Sequence, residues 1–269
     1  KMEKNLELDK KVFLEKFEKI VENFCQKLYD YTSNPNDENI HDIRVSIRRL
    51  ESASQILPKN VRKPERIREY VKYAKKLFKV NAKIRDCDII CANMELYHPN
   101  KTQDLVSAQK SSRSEQIKDA SKLALEISRL DIPKITKSSI KKSKLAKRYL
   151  KILDGIILDI HKNSIIALGD ERKINELHML RKNFKKLRYT LELASDKKIT
   201  HDILQNLKNI QDILGEIHDS DIIIDYLKSV DRDSKYSDII VAEVLRRSKK
   251  YNAFVLAFKK NPEVINFEL

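Results

Sequence analysis

"HDIRVSIRRL", residues 41–50, places one histidine and three arginines within nine consecutive positions. At 100° per residue, His41, Arg44 and Arg48 fall on one arc about 60° wide, and isoleucine and leucine occupy the opposite side. This pattern predicts an amphipathic α-helix whose apolar face is buried. Cations spaced by four residues repel each other by a few tenths of a kcal/mol. Such a row is therefore either a solvated surface or an anion-binding site.

A second copy of the pattern distinguishes these interpretations. "HMLRKNFKKLRY", residues 178–189, repeats the histidine, the basic positions and the leucine of the first segment at an offset of 137 residues. Further along, "LFKVNAKIRDCDII" at 77–90 aligns with "IQDILGEIHDSDII" at 210–223 at an offset of 133. Two blocks repeated in the same order indicate an internal duplication. Because both copies keep the one-signed row, we favour a shared anion site over a solvated surface.

Composition and periodicity predict an all-α fold. The chain of 269 residues has only 3 Gly and 6 Pro, and apolar residues recur at intervals of three and four without strand alternation. We predict one domain in two halves, residues 1–131 and 132–269, with five helices in each. In the first half, Asp37 or Asn39 caps the second helix, Pro64 begins the third, and "RDCD" separates the third from a short fourth that Asp86 caps. In the second half, two shorter helices surround Leu207 and Ile223.

Charge restricts the class of partner. There are 55 Lys and Arg against 40 Asp and Glu, a net charge of +15, which favours a nucleic acid, an anionic membrane surface or another polyanion. The most apolar run, "YLKILDGIILDI", contains two aspartates and cannot span a bilayer, so we expect a soluble cytoplasmic protein without a membrane partner. Cys25, Cys87 and Cys91 lack zinc-ligand spacing and are predicted to be buried thiols. We predict neither a metal site nor a cofactor.

The two basic segments and the "AKIRDCDI" and "LGEIHDSDI" blocks resemble the CHAD family, the conserved histidine α-helical domain, over nearly the whole chain. The resemblance implies two pseudo-symmetric antiparallel helical bundles from an internal duplication, enclosing a basic groove or pore. It also implies binding of inorganic polyphosphate and association with polyphosphate granules. The binding residues that it indicates, with two lysines matched under the second offset, are His41, Arg44, Arg48, Arg49, His178, Arg181, Lys182, Lys185, Lys186, Arg188, Lys75 and Lys208.

This sequence departs from the family pattern at three positions. Glu51 stands where a basic residue is frequent, Ala82 replaces a glycine that Gly215 keeps, and His218 stands where arginine is usual. Asp86 and Asp219 are interpreted as helix caps or partners of basic side chains rather than as catalysts. Polyphosphate carries about one charge per phosphate and has no bases, so rows of cations suffice to bind it. Binding should strengthen at mildly acidic pH and weaken with salt.

Three other functions remain open. An RNA-binding helical module is compatible with the charge, but the basic rows lack interleaved aromatic residues for base stacking. An enzyme acting on phosphoanhydrides would need a phosphate-binding glycine loop or a carboxylate cluster for magnesium, and neither pattern occurs. An adaptor that brings an unknown protein partner to polyphosphate would use the same residues. We therefore predict a non-catalytic polyphosphate-binding protein.

Overall fold

A computed structural model of the chain describes residues 8–62, 65–135, 137–194 and 198–260, apart from the side chains of residues 65–66 and 198–203. These segments contain nine α-helices, one short 3₁₀ helix and no β-strand, in agreement with the predicted all-α class. The α-helices, in chain order, are α1 (Lys10–Ser33), α2 (Asp37–Ile56), α3 (Lys59–Arg62), α4 (Glu65–Tyr97), α5 (Gln103–Ser128), α6 (Lys142–Ala167), α7 (Ile174–Leu191), α8 (Lys198–Val230) and α9 (Ser237–Lys260).

Local side-chain chemistry explains where the first two helices begin. The carboxylate of Asp9 accepts hydrogen bonds from the backbone N–H groups of Lys11 and Val12, and so caps α1. The side chain of Asn36 accepts from the N–H of Asn39 at 2.8 Å and caps α2. The prediction of Asp37 or Asn39 as this cap was wrong, because Asn36 is the residue with extended backbone that precedes the first turn. The predicted start at Pro64 lies outside the described residues.

Two predicted helix breaks do not occur. Helix α4 continues through "RDCD", so Asp86 is an interior residue and not a cap, and α8 is continuous across Asp219. The prediction of five helices in each half was therefore wrong: the described residues form four long helices in each half, and α3 is a single turn. Neither block contains proline, and buried Ile84 and Ile217 preserve the helical apolar period on the core side.

The long helices form two antiparallel bundles with equivalent order. In the first bundle α1 packs on α2 and α5, and α4 packs on α2 and α5; in the second, α6 packs on α7, α7 on α8 and α8 on α9. The bundles meet where α2 contacts α7 and α4 contacts α8. These four contacting helices carry the duplicated sequence blocks. The division at residues 131–132, between α5 and the 3₁₀ helix, stays a prediction.

The predicted core faces are buried. On α2, Ile43, Ile47 and Leu50 are 0–1% exposed, and on α7 Leu180, Phe184 and Leu187 are fully buried. They belong to one apolar core that includes residues of both bundles. Because this stripe is on the core side of each helix, the opposite histidine and arginine stripes face away from the core. Among the described helices, none combines the length and apolar character needed to cross a membrane.

Candidate anion-binding cleft

The two basic stripes face the same cavity. A cleft of about 350 Å³ lies between α2, α4, α7 and α8, where the two bundles meet. His41 is at its exposed rim, and His218 lines the side formed by α8. Seven lysine and arginine side chains line the cleft: Arg44, Arg48, Arg85, Arg181, Lys185, Arg188 and Lys208. Three carboxylates, those of Asp86, Asp212 and Asp219, partly offset them. The described lining therefore carries an excess of positive charge.

The α2 arginines are held in place by α4. The Nη1 atom of Arg44 donates a hydrogen bond to the backbone carbonyl of Phe78 at 3.0 Å, and its guanidinium stacks over the Phe78 ring at 4.3 Å. The guanidinium of Arg48 lies over the same ring at 4.8 Å. An aromatic face favours a nearby cation and leaves the other guanidinium donors for a ligand. This arrangement positions two arginines before any anion binds.

The equivalent arginine of α7 has an unpaired donor. The Nε–H group of Arg181 is buried and has no acceptor among the described residues. At the α8 position equivalent to Phe78, Gln211 instead donates to the backbone carbonyl of Phe184 at 3.1 Å. A buried donor without an acceptor costs about 1–3 kcal/mol, so an anion that accepts from it gains at least part of that free energy on binding.

Burial and mutual repulsion lower the pKa of the cations. Burial, followed by the charge of Arg48, lowers the pKa of Arg44 to about 10 and also lowers that of Arg181. Burial, followed by the charges of Arg181 and Arg48, lowers the pKa of Lys185 to about 6. Lys185 is therefore mostly neutral at pH 7 in the ligand-free cleft, whereas the arginines stay charged. A bound anion would reverse this effect by favouring the protonated amine.

The histidines of the two halves have different neighbours. In the second half, the Nδ1 atoms of His178 and His218 are 3.2 Å apart, so one ring donates a hydrogen bond to the other. Burial and nearby cations lower their pKa values to about 4 and about 3. In the first half Arg85 occupies the position equivalent to His218, and burial together with the charge of Arg85 lowers the pKa of His41. The imidazoles of His178 and His218 are therefore neutral at pH 7.

The two equivalent aspartates are counter-charges within the cleft. Burial raises the pKa of Asp86, while the charge of Arg44 opposes that rise. Burial also raises the pKa of Asp219, and the charge of Arg181 opposes that rise. Asp86 and Asp219 therefore act as partners of basic side chains, which was one of the two predicted roles. The other, that they cap helices, was wrong. No group of three or more metal-ligating side chains is close enough to hold a metal ion within the described part of the chain.

The remaining predicted residues lie beside the cleft or away from it. Lys182 and Lys186 line an adjoining cavity of about 250 Å³ that shares Arg48 and Lys185 with the cleft. His178 contacts the cleft through His218. Two predicted residues lie elsewhere and form ion pairs: Arg49 with Glu192 at 3.2 Å, and Lys75 with Glu51 at 2.7 Å.

Sequence reasoning missed three polar lining residues, Arg85, Gln211 and Asp212. Arg85 could have been found from the aligned "RDCD" and "HDSD" blocks, because it is equivalent to His218. Asp212 carries no such signal, since its equivalent is Lys79. Tyr189 also lines the cleft, and the guanidiniums of Arg49 and Arg188 lie 5.9 and 5.0 Å from its ring centroid.

Comparisons with known proteins agree with this architecture. The family model described as "CHAD domain" matches residues 17–228. The crystal structure of the CHAD domain from the plant Ricinus communis superposes with a TM-score of 0.61 at 16% identity, covering 97% of this chain and 91% of that one. That likeness concerns the fold. No curated protein matches the sequence significantly. Since the family model spans most of the chain, the protein belongs to the CHAD family.

Proposed function

We propose that this chain binds inorganic polyphosphate in the cleft between its two bundles, through the duplicated basic stripes. Polyphosphate binding is a property of the CHAD family to which the chain belongs. The observation that carries the proposal is the convergence of Arg44 and Arg48 from α2 with Arg181 and Lys185 from α7 on one cavity. These four side chains come from equivalent positions of the two halves.

The chemistry of the cleft fits a chain of phosphates. Arginine presents a planar fork that matches two phosphate oxygens, and lysine supplies a compact charge. Burial lowers the pKa values of Arg44, Arg48 and Arg181, and the charge of Arg48 lowers those of Arg44 and Arg181 further, so these like charges repel each other in the ligand-free cleft. A polyanion that lies between the two stripes would replace this repulsion with attraction. Each phosphate would then be contacted from both bundles.

The cleft is less suited to RNA. Single-stranded RNA is usually bound through bases stacked on exposed aromatic rings. Among the described residues that line the cleft, Tyr189 is the one Phe, Tyr or Trp side chain, and it is only 4% exposed. Excess polyphosphate should therefore displace RNA readily, and RNA should displace polyphosphate poorly.

The family membership indicates a helical binding domain rather than a catalyst. We propose that this chain does not hydrolyse its ligand, because Asp86 and Asp219, the equivalent carboxylates of the cleft, interact electrostatically with Arg44 and Arg181 and serve as counter-charges. Phosphate release from polyphosphate in the presence of magnesium would contradict this proposal. For the cell we propose a cytoplasmic location at polyphosphate granules, where the chain could also bring a protein partner to the polymer.

The binding proposal is tested by replacing Arg44, Arg48, Arg181 and Lys185 together with alanine. Each charge-assisted hydrogen bond contributes about 1.5–3 kcal/mol, so losing several should weaken polyphosphate binding by at least two orders of magnitude. Helical circular dichroism should be unchanged, because all four side chains lie on the stripe opposite the core. Wild-type affinity in the folded variant would show that the cleft is not the binding site.

A further inference from the structure

A second basic cavity lies on the first bundle, outside the cleft. This α4 groove, about 690 Å³, runs between α2 and the N-terminal half of α4. Among the described residues, six lysine and arginine side chains and one carboxylate, that of Glu51, line it; the six cations are Arg62, Arg68, Lys72, Lys75, Lys76 and Lys79. Lys72, Lys76 and Lys79 are exposed and form no ion pair within the described residues. The charges of these three lysines are therefore not neutralised by any carboxylate of the described residues.

Shared lining residues link the α4 groove to the cleft. The adjoining cavity that contains Lys182 and Lys186 shares Arg48, Lys185 and Tyr189 with the cleft. At its other side it shares Glu51 and Gln55 with the α4 groove. A flexible ligand that leaves the cleft between α2 and α7 would therefore pass these shared residues on its way to the groove.

Helix geometry aligns the groove lysines with the cleft. At 100° per residue, Lys72, Lys75 and Lys79 lie within about 40° of the direction of Asp86, which lines the cleft on the same helix. The rise of 1.5 Å per residue places Lys72 about 21 Å from Asp86 along α4. One face of α4 therefore forms a row of cations that leads away from the cleft.

The second half of the duplication provides an internal comparison. Under the offset of 133 residues, the three unpaired groove lysines correspond to a glutamine, an asparagine and an aspartate of α8. The pairs are Lys72 with Gln205, Lys76 with Asn209, and Lys79 with Asp212. Lys75 and Lys208 are lysine in both halves. The unpaired positive charge is therefore specific to one bundle, and it is not a general consequence of the repeated fold.

Glu51 is a negative charge at the junction between the cavities, but it is compensated. Its Oε1 lies 2.7 Å from Nζ of Lys75, and both side chains are partly exposed. The equivalent position in α7 is Arg188, which lines the cleft directly. A polyanion at the junction therefore meets a neutral pair on the α2 side and the amines of Lys182 and Lys186 on the α7 side.

We propose that the α4 groove is a second polyphosphate subsite, which binds the part of a long chain that leaves the cleft on the first-bundle side. This inference rests on the proposed function of the cleft. Its consequence is a dependence on chain length: tripolyphosphate fits within the cleft and is far too short to reach Lys72, whereas a chain of about a hundred phosphates occupies both sites. The asymmetry of the two halves makes this extension one-sided.

The test compares two ligands and two triple variants. The groove variant is Lys72→Gln, Lys76→Gln and Lys79→Gln, which removes the three positive charges that the equivalent positions of α8 lack. The matched control is Lys118→Gln, Lys162→Gln and Lys249→Gln, three exposed lysines that line neither the cleft nor the groove. Affinity for tripolyphosphate and for a chain of about a hundred phosphates is measured by calorimetry at several salt concentrations.

We expect the groove variant to bind the long chain at least tenfold more weakly than wild type. The slope of log affinity against log salt concentration should be smaller in magnitude by about two for this variant. Each contact with a single-stranded polyanion releases roughly 0.7 counterions, and the variant loses three such contacts. Its affinity for tripolyphosphate should stay within twofold of wild type, and the control should match wild type with both ligands. Equal affinity of groove variant and control for the long chain would overturn the subsite while leaving the cleft proposal intact. A wild-type protein that binds neither ligand would overturn both proposals.

Discussion

The low pKa of Lys185 predicts that polyphosphate binding is coupled to proton uptake. With a pKa of about 6, caused by burial and by the charges of Arg181, Arg48 and, more weakly, Arg44, this amine is about nine-tenths neutral at pH 7 in the free protein. Asp219 opposes the effect only in part. A polyphosphate in the cleft favours the charged amine, so the complex binds more protons than the free protein. Affinity must therefore rise as the pH falls.

The magnitude follows from one titrating group. Above pH 6, and below the raised pKa of the complex, binding takes up close to one proton, and affinity changes almost tenfold per pH unit, equivalent to about 1.4 kcal/mol. The contribution of Lys185 levels off below pH 6, where the free amine is already charged. His178 and His218, with pKa values of about 4 and about 3, add further uptake only at lower pH.

Calorimetry in two buffers with different ionisation heats, at pH 7.5 and with a long polyphosphate chain, measures this uptake directly. The Lys185→Arg variant is the control, since its guanidinium stays charged over the whole range. Proton uptake should disappear in that variant, and its affinity should no longer rise between pH 8 and pH 6. Equal uptake by wild type and variant, or none by either, would refute the assignment to Lys185.

Two further variants test the junction and the bundle framework. Glu51→Gln removes the carboxylate beside Lys75, frees that amine, and should strengthen long-chain binding severalfold in the same calorimetric assay; weaker binding would show that the ion pair positions Lys75 usefully. Arg247→Leu leaves buried Asp221 without its ion-pair partner and should lower the free energy of unfolding in urea by about 3–5 kcal/mol. Arg113→Leu, which removes the partner of the equivalent aspartate Asp88, is expected to cost less, because Arg113 is more exposed; the reverse order would contradict this.

Much of the fold follows from the sequence because helical periodicity is a local property. The three- and four-residue spacing of apolar side chains identified the α-helices and the buried faces of α2 and α7. The duplicated blocks identified the correspondence between the two bundles. The same spacing placed His41, Arg44 and Arg48 on one stripe before any contact between helices was known.

Helix continuity through the duplicated aspartates could not be predicted from local signals. An aspartate is a common helix cap, so "RDCD" indicated a break. In the structure Asp86 and Asp219 lie inside long helices and line the cleft, where Arg44 and Arg181 from neighbouring helices partly offset the cost of burying their charges. That compensation depends on contacts between residues far apart in the chain.

The sequence by itself determined the helices, their apolar faces and the presence of two similar rows of cations. Only the tertiary structure decided how the cations are used: Arg49 pairs with Glu192, whereas Arg188, which also contacts Glu192, lines the cleft. It also lowered the pKa of Lys185 by bringing arginines from two helices around a buried amine. The physical reason is that side-chain periodicity depends on the backbone of one helix, while electrostatic interaction depends on distances between helices and on exclusion of water.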